Sequence, residues 1–115
     1  MSLGIVLQAT ANPCQSFSRA LRLVEAWQVQ SPGKILIACL GESACLAVDN
    51  APCARTLRSI GLRLAESSAC EFLVCPSALR QRGLAPDAIA APFLASTIAD
   101  ILLRWQACAR HLELA

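Results

Sequence analysis

A chain of 115 residues is long enough to build one real core, and no repeat or low-complexity tract divides it, so residues 1–115 read as a single domain. Charged residues are only 16% against 56% apolar, which leaves little polar surface and makes a buried subunit interface the natural outlet. A net charge of +2, with the arginines dispersed and no basic block, excludes a nucleic-acid surface, and no apolar stretch is long enough to span a membrane.

Leu3, Gly4, Ile5, Val6 and Leu7 form an apolar run of strand length, and residues 8–13 after it are rich in turn formers. From Cys14 to about Gln30 the spacing turns helical. Phe17, Ala20, Leu21, Val24 and Trp27 recur at three and four, with Arg19, Arg22 and Glu25 elsewhere. Ser31, Pro32 and Gly33 end that helix. Residues 34–40 are a continuous apolar strand suited to burial on both faces. Residues 44–53 carry no clear period, although Asp49-Asn-Ala-Pro52 signals a turn. A second long helix is expected from about Ala54 to Ser68, with Leu57, Ile60 and Leu64 inward and Arg55, Arg58 and Arg63 outward. Phe72, Leu73 and Val74 form a third strand that leads into Cys75, and residues 76–83 form a compact helix closed by Gly83. After a connector at 84–87, a last helix is expected from Phe93 to about Cys108. Leu94, Ile98, Ile101, Leu102 and Trp105 stripe it, and Asp100 pairs with Arg104. His111-Leu-Glu-Leu114 alternates as an edge strand does.

Strands and helices alternating through short links require parallel pairing and right-handed crossovers. The expected fold is a three-layer, flavodoxin-like α/β domain, a mostly parallel sheet with helices on both faces and residues 34–40 and 71–75 near its centre. Its strands end along one edge. There the loop after Leu7, the turn at 39–43 and Cys75 would line a shallow cleft.

Several chemistries lack their residues. Gly4 and Gly41 are isolated, so no loop can cradle phosphates, and no strand ends in an aspartate. No two of the seven cysteines are three apart, which removes zinc and the thioredoxin-type pair, and the single His111 sits on the edge strand, away from any nucleophile. No cofactor or metal is expected. The absence of a basic leader, together with an odd cysteine count, suggests reduced thiols in a cytoplasm. What is left is a lone cysteine that carries something. Pro76 stops the strand and suits a first helical position, so Cys75 falls at the helix N-cap. The N–H groups of Ser77 and Ala78 are expected to point at its sulfur and favour a thiolate. The other reading is a buried structural cysteine. The remaining six are expected to be mostly packing residues, with Cys14, Cys45 and Cys53 the least defined.

The unit Phe72-Leu-Val-Cys75-Pro-Ser-Ala-Leu-Arg-Gln-Arg-Gly-Leu84 resembles the cysteine segment of the DsrE/TusD-like sulfur-relay proteins, and residues 96–114 resemble the last helix and closing strand of that family. The resemblance implies a small cytoplasmic α/β protein that forms homo- or hetero-oligomers with related subunits. It further implies a sulfur carrier or sulfurtransferase that passes sulfane sulfur as a persulfide, in tRNA thiolation or sulfur oxidation. Cys75 is then the sulfur-carrying residue, with sulfur-donor and sulfur-acceptor proteins as partners. The alternative is a non-catalytic assembly subunit or thiol sensor of the same fold, and exposure of Cys75 separates the two.

Overall fold

The computed structural model describes residues 2–8, 12–30, 33–67 and 70–114. Five strands, β1 (Leu3–Leu7), β2 (Ile35–Cys39), β3 (Cys70–Val74), β4 (Phe93–Ala95) and β5 (Arg110–Leu114), pair in parallel in the order β4-β3-β2-β1-β5. Four α-helices connect them: α1 (Pro13–Gln30), α2 (Pro52–Ser67), α3 (Pro76–Arg80) and α4 (Ile98–Gln106). The expected three-layer α/β domain is therefore observed, with β2 at the centre and β3 beside it. Strand order explains the layers. The chain steps in one direction from β1 to β4 and then returns to the far side of β1, so right-handed crossovers put α1 and α2 on one face and α4 on the other.

Two rows of side chains across the sheet show the division. Phe93, Phe72, Ile37, Ile5 and Leu112 are in register on the α1/α2 face, where Phe17 of α1 lies 6.1 Å from Phe72 and 5.6 Å from Phe93, ring centre to ring centre. Glu71, Leu36, Gly4 and His111 are in register on the α4 face. There Arg104 pairs with Glu71, Trp105 donates to the Gly4 carbonyl at 3.2 Å, and the His111 ring lies 4.6 Å from that of Trp105. Gly4 has a steric reason. A Cβ at this position would come within 2.7 Å of Trp105 Cδ1 and 3.0 Å of Cys108 Sγ, so α4 can approach β1 only over a glycine.

Several expectations need correction. The helix expected from Phe93 to Cys108 is a three-residue strand, a corner and a shorter helix. Leu94 lies on the edge strand β4, and only Ile101 of the expected stripe is fully buried. The corner is built by Thr97, whose hydroxyl accepts from the Asp100 N–H at 3.1 Å and caps α4. The expected Asp100–Arg104 pair is present at 3.9 Å. Residues 41–47, which join the expected turn at 39–43 to the start of the periodless stretch 44–53, form a 3-10 helix, and Gly41 opens it at a φ of +56° that disfavours other residues. Arg58 points inward and is 7% exposed, because its guanidinium donates to the Leu46 and Asp49 carbonyls of this segment. Helices α1 and α2 start at Pro13 and Pro52, each proline taking the first helical position. The loop expected at 8–13 and the helix ends expected at 31–32 and at Ser68 lie wholly or partly outside the described residues.

Candidate functional site

Strand β3 is buried on both faces apart from the half-buried Glu71, and Pro76 ends it by withholding a ladder donor. Cys75 follows with extended dihedrals (φ −85°, ψ 116°) and is the N-cap of α3, as its sequence context requires. The cap is not made by the sulfur. Cys75 makes no side-chain cap hydrogen bond, and its carbonyl accepts from Ala78 N–H at 3.2 Å, so the expected aim of the Ser77 and Ala78 N–H groups at the thiol is not found. Helix α3 also spans only five residues, too few for more than a small dipole. Its exit is the expected one. Gly83 adopts φ +71°, and the N–H of Leu84 reaches back to the Leu79 carbonyl at 2.9 Å, the six-residue closing bond of a Schellman turn.

Cys75 is 4% exposed in the isolated chain. Around it, the Val74 carbonyl accepts from Ser96 N–H at 3.0 Å, and Ala78 and Leu79 of α3 are buried. Helix α3 rests on the 41–47 segment, where Arg82 faces Glu42 at 3.5 Å and donates to the Ala78 carbonyl at 3.0 Å. Both ends of the Arg82–Glu42 pair are partly exposed, so the pair contributes little energy.

The fold gathers more thiols at this edge than the sequence suggested. Cys14, Cys39, Cys45, Cys53 and Cys75 all lie at or after the carboxyl ends of strands, while Cys70 and Cys108 lie towards the opposite edge. Cys39 is a packing residue, as expected, and burial pushes its thiol up to about 12. Cys70 is pushed up to about 12 as well, mainly by burial and then by the neighbouring Glu71. The Cys45 thiol is raised by burial, then by Asp49 and Glu42, with Arg82 opposing. Below Cys39, the Ser43 hydroxyl lies 2.7 Å from both the Leu7 and Leu40 carbonyls, so its single proton is shared between the ends of β1 and β2.

Cys14 and Cys53 overturn the expectation that all seven cysteines are free. They form a disulfide across 39 positions, with Cα atoms 6.6 Å apart. The cleft expected between the 39–43 turn and Cys75 is not where the depressions lie. A depression of about 540 Å³ is lined by Asn12, Cys14, Gln15, Cys53 and Thr56 among others. A second one, of about 580 Å³, opens towards the amino ends of the strands between Lys34, Cys70, Glu71, Arg104 and Cys108. Cys75 lines neither. A thiol at its position can act on another sulfur only once the groups over it move. Among the described residues, no three of His, Cys, Asp and Glu are grouped as metal ligands would be, and no helix is long and apolar enough to cross a membrane.

No protein-family model matches the chain, and no curated protein matches it. Solved structures do. The chain superposes on the ychN protein from E. coli with a TM-score of 0.77 and 12% identity, over 99% of each chain. It superposes equally on MTH1491 from Methanobacterium thermoautotrophicum, a protein of unknown function, with a TM-score of 0.76 and 10% identity over 98% of each chain. At these identities the likeness shows a shared fold across the whole domain.

Proposed function

We propose that this chain is a sulfur carrier in which Cys75 holds a sulfane sulfur atom as a persulfide and yields it to the thiol of a partner protein. The observation that carries this reading is the position of Cys75, which ends a near-central strand and opens a helix at the carboxyl edge of a parallel sheet. Sheets of this architecture meet their ligands at that edge. The likeness of residues 70–84 to the cysteine segment of the DsrE/TusD-like relay proteins supports it, and the three-layer α/β fold is compatible with it.

The chemistry balances without a cofactor. The Cys75 thiolate attacks the outer sulfur of a donor persulfide, forming a new S–S bond as the donor's inner sulfur leaves as a thiolate. An acceptor thiolate then attacks the outer sulfur on Cys75 and releases the Cys75 thiolate. The partners are accordingly a donor protein, an acceptor protein and identical or related subunits, with tRNA thiolation or sulfur oxidation as the pathway. Since Cys75 is buried, loading requires the groups packed around it to move.

That burial favours a second reading, an assembly subunit or thiol sensor in which Cys75 only packs. Intact mass after incubation with a persulfide donor separates the two. Under the carrier reading the protein gains one sulfur, and Cys75→Ser abolishes the gain while leaving the fold and assembly unchanged. No uptake by the unmodified chain, or uptake that persists in Cys75→Ser and depends on another cysteine, sinks the carrier reading.

A further inference from the structure

We propose that Cys14 and Cys53 form a second sulfur centre, a reversible dithiol–disulfide pair that exchanges with small thiols and their disulfides. It involves neither Cys75 nor the transfer proposed for it, so either can fail alone.

Geometry brings the pair together from two separate elements. Each cysteine is the second residue of a long helix and follows a proline, in Asn12-Pro-Cys14 at the start of α1 and Ala51-Pro-Cys53 at the start of α2. The two helices pack side by side, so their amino ends meet at the carboxyl edge of the sheet. Neither helix carries an acidic residue in its first turn, and Arg55 follows two places after Cys53. The positive potential of both helix ends therefore acts on the sulfurs, offset in part at the head of α2 by Asp49, whose carboxylate accepts from the Ala51 N–H at 2.9 Å. A thiolate there is a better leaving group than one in a neutral setting.

Access distinguishes this pair from an inert crosslink. Cys53 is exposed and Cys14 half-buried. The depression over them is uncharged and mostly apolar, with Pro52 and Leu57 in its wall beside Asn12, Gln15, Ser18 and Thr56, and its volume suits a small peptide thiol. The free cysteines offer no comparable pair, since Cys39, Cys70 and Cys75 are buried.

The exchange is directional. An incoming thiolate attacks the exposed Cys53 sulfur, a mixed disulfide forms there, and Cys14 leaves as a thiolate at the head of α1. A second thiolate attacks the small-molecule sulfur of the mixed disulfide and releases Cys53. Two small thiols are thereby oxidised to one disulfide and the protein pair is reduced to two thiols. With a small disulfide as oxidant the steps run in reverse.

The test is a redox titration of the folded protein in glutathione buffers, quenched by alkylation and read by intact mass. The expected result is a two-thiol transition under native conditions, with Cys14 and Cys53 as the labelled residues. In Cys14→Ser, Cys53 should accumulate as a glutathione mixed disulfide at least about tenfold faster than Cys14 does in Cys53→Ser, following their difference in exposure. A disulfide that opens only when the protein unfolds, or two thiols that never pair under oxidising buffer, overturns the proposal. If either variant fails to fold, the titration of the unmodified chain decides.

Discussion

Arg58 is the position at which the fold can be tested most sharply, because its side chain is a cation inside a protein that has few. Its guanidinium donates to the Leu46 carbonyl at 2.6 Å and to the Asp49 carbonyl at 2.7 Å, tying the end of the 41–47 segment to α2. Burial lowers its pKa but leaves it charged. Hydrogen bonds from a charged donor contribute about 1.5–3 kcal/mol each, so the gross loss in Arg58→Met is about 3–6 kcal/mol. Two effects reduce this. Asp49 is exposed, so its carbonyl can take a water in exchange, and methionine carries no desolvation cost of its own. A net destabilisation of about 2–4 kcal/mol follows, equivalent to a fall in Tm of about 10–20 °C in a domain of this size. Urea denaturation and thermal melting of Arg58→Met measure it, with Arg58→Lys recovering only part because both bonds come from Nη1 and the lysine nitrogen falls one bond short of that position. Loosening the 41–47 segment should also speed alkylation of Cys75, since α3 rests on it. A variant within about 0.5 kcal/mol of the parent would refute the reasoning, because surface substitutions behave that way.

Gly4→Ala forces a methyl group against Trp105 and Cys108 and should cost about 1–3 kcal/mol in denaturant titrations, with Trp105→Leu in the same chain restoring part of the loss. Stability should fall at alkaline pH. Cys39 and Cys70 keep their protons up to about 12 in the folded chain, whereas an unfolded cysteine loses its proton near 8.5. The folded state then binds more protons than the unfolded one between these values. Each thiol thus removes about 1.4 kcal/mol per pH unit above about 8.5, an effect that vanishes below it. Cys39→Ala should remove about 1.4 kcal/mol per pH unit from the slope in urea titrations between about pH 9 and 10, and an unchanged slope would show that Cys39 is not a source. Leu94, Ile98, Leu102 and Leu103 are exposed, the last at 67%, and are the proposed contact surface for further subunits. Light scattering should show an oligomer that Leu103→Glu dissociates, and a 12.2 kDa monomer before mutation counts against it.

The strands β1, β2 and β3 were legible because β1 and β2 are unbroken apolar runs and β3 carries one at Phe72, Leu73 and Val74, as burial in a parallel sheet favours. Cys75 was legible for the same reason, since a strand followed by Pro76 leaves one position for it. Its burial was not, because it rests on packing between segments distant in sequence, residues 41–47 against α3 and the corner after β4 bonded to the end of β3. β4 was missed because residues 93–105 happen to satisfy a helical stripe, although Thr97 with Asp100 three residues on is a helix-start signature that could have divided them. Arg58 followed the helical spacing outward only on paper. Its partners are backbone carbonyls, which leave no trace in composition. The Cys14–Cys53 pair lay beyond local pattern for a similar reason, as the two are 39 positions apart, yet both follow a proline at a helix start, and that repeated Pro-Cys was visible.

The placement of β5 beside β1 bears on how the chain folds during synthesis. Trp105 bonds to Gly4 across 101 positions, and Ala109 bonds to Ser2 across 107. At about 5–20 residues per second, a ribosome takes roughly 5–20 s to make that intervening stretch. For that interval β1 can pair with β2 but presents its other edge, and the row over Gly4, to the surroundings. That edge of the sheet can close only once α4 and β5 have been made. Substitutions in α4 or β5 should therefore lower the yield of folded protein in the cell by more than their effect on equilibrium stability accounts for, because they prolong the time for which β1 stands half-paired.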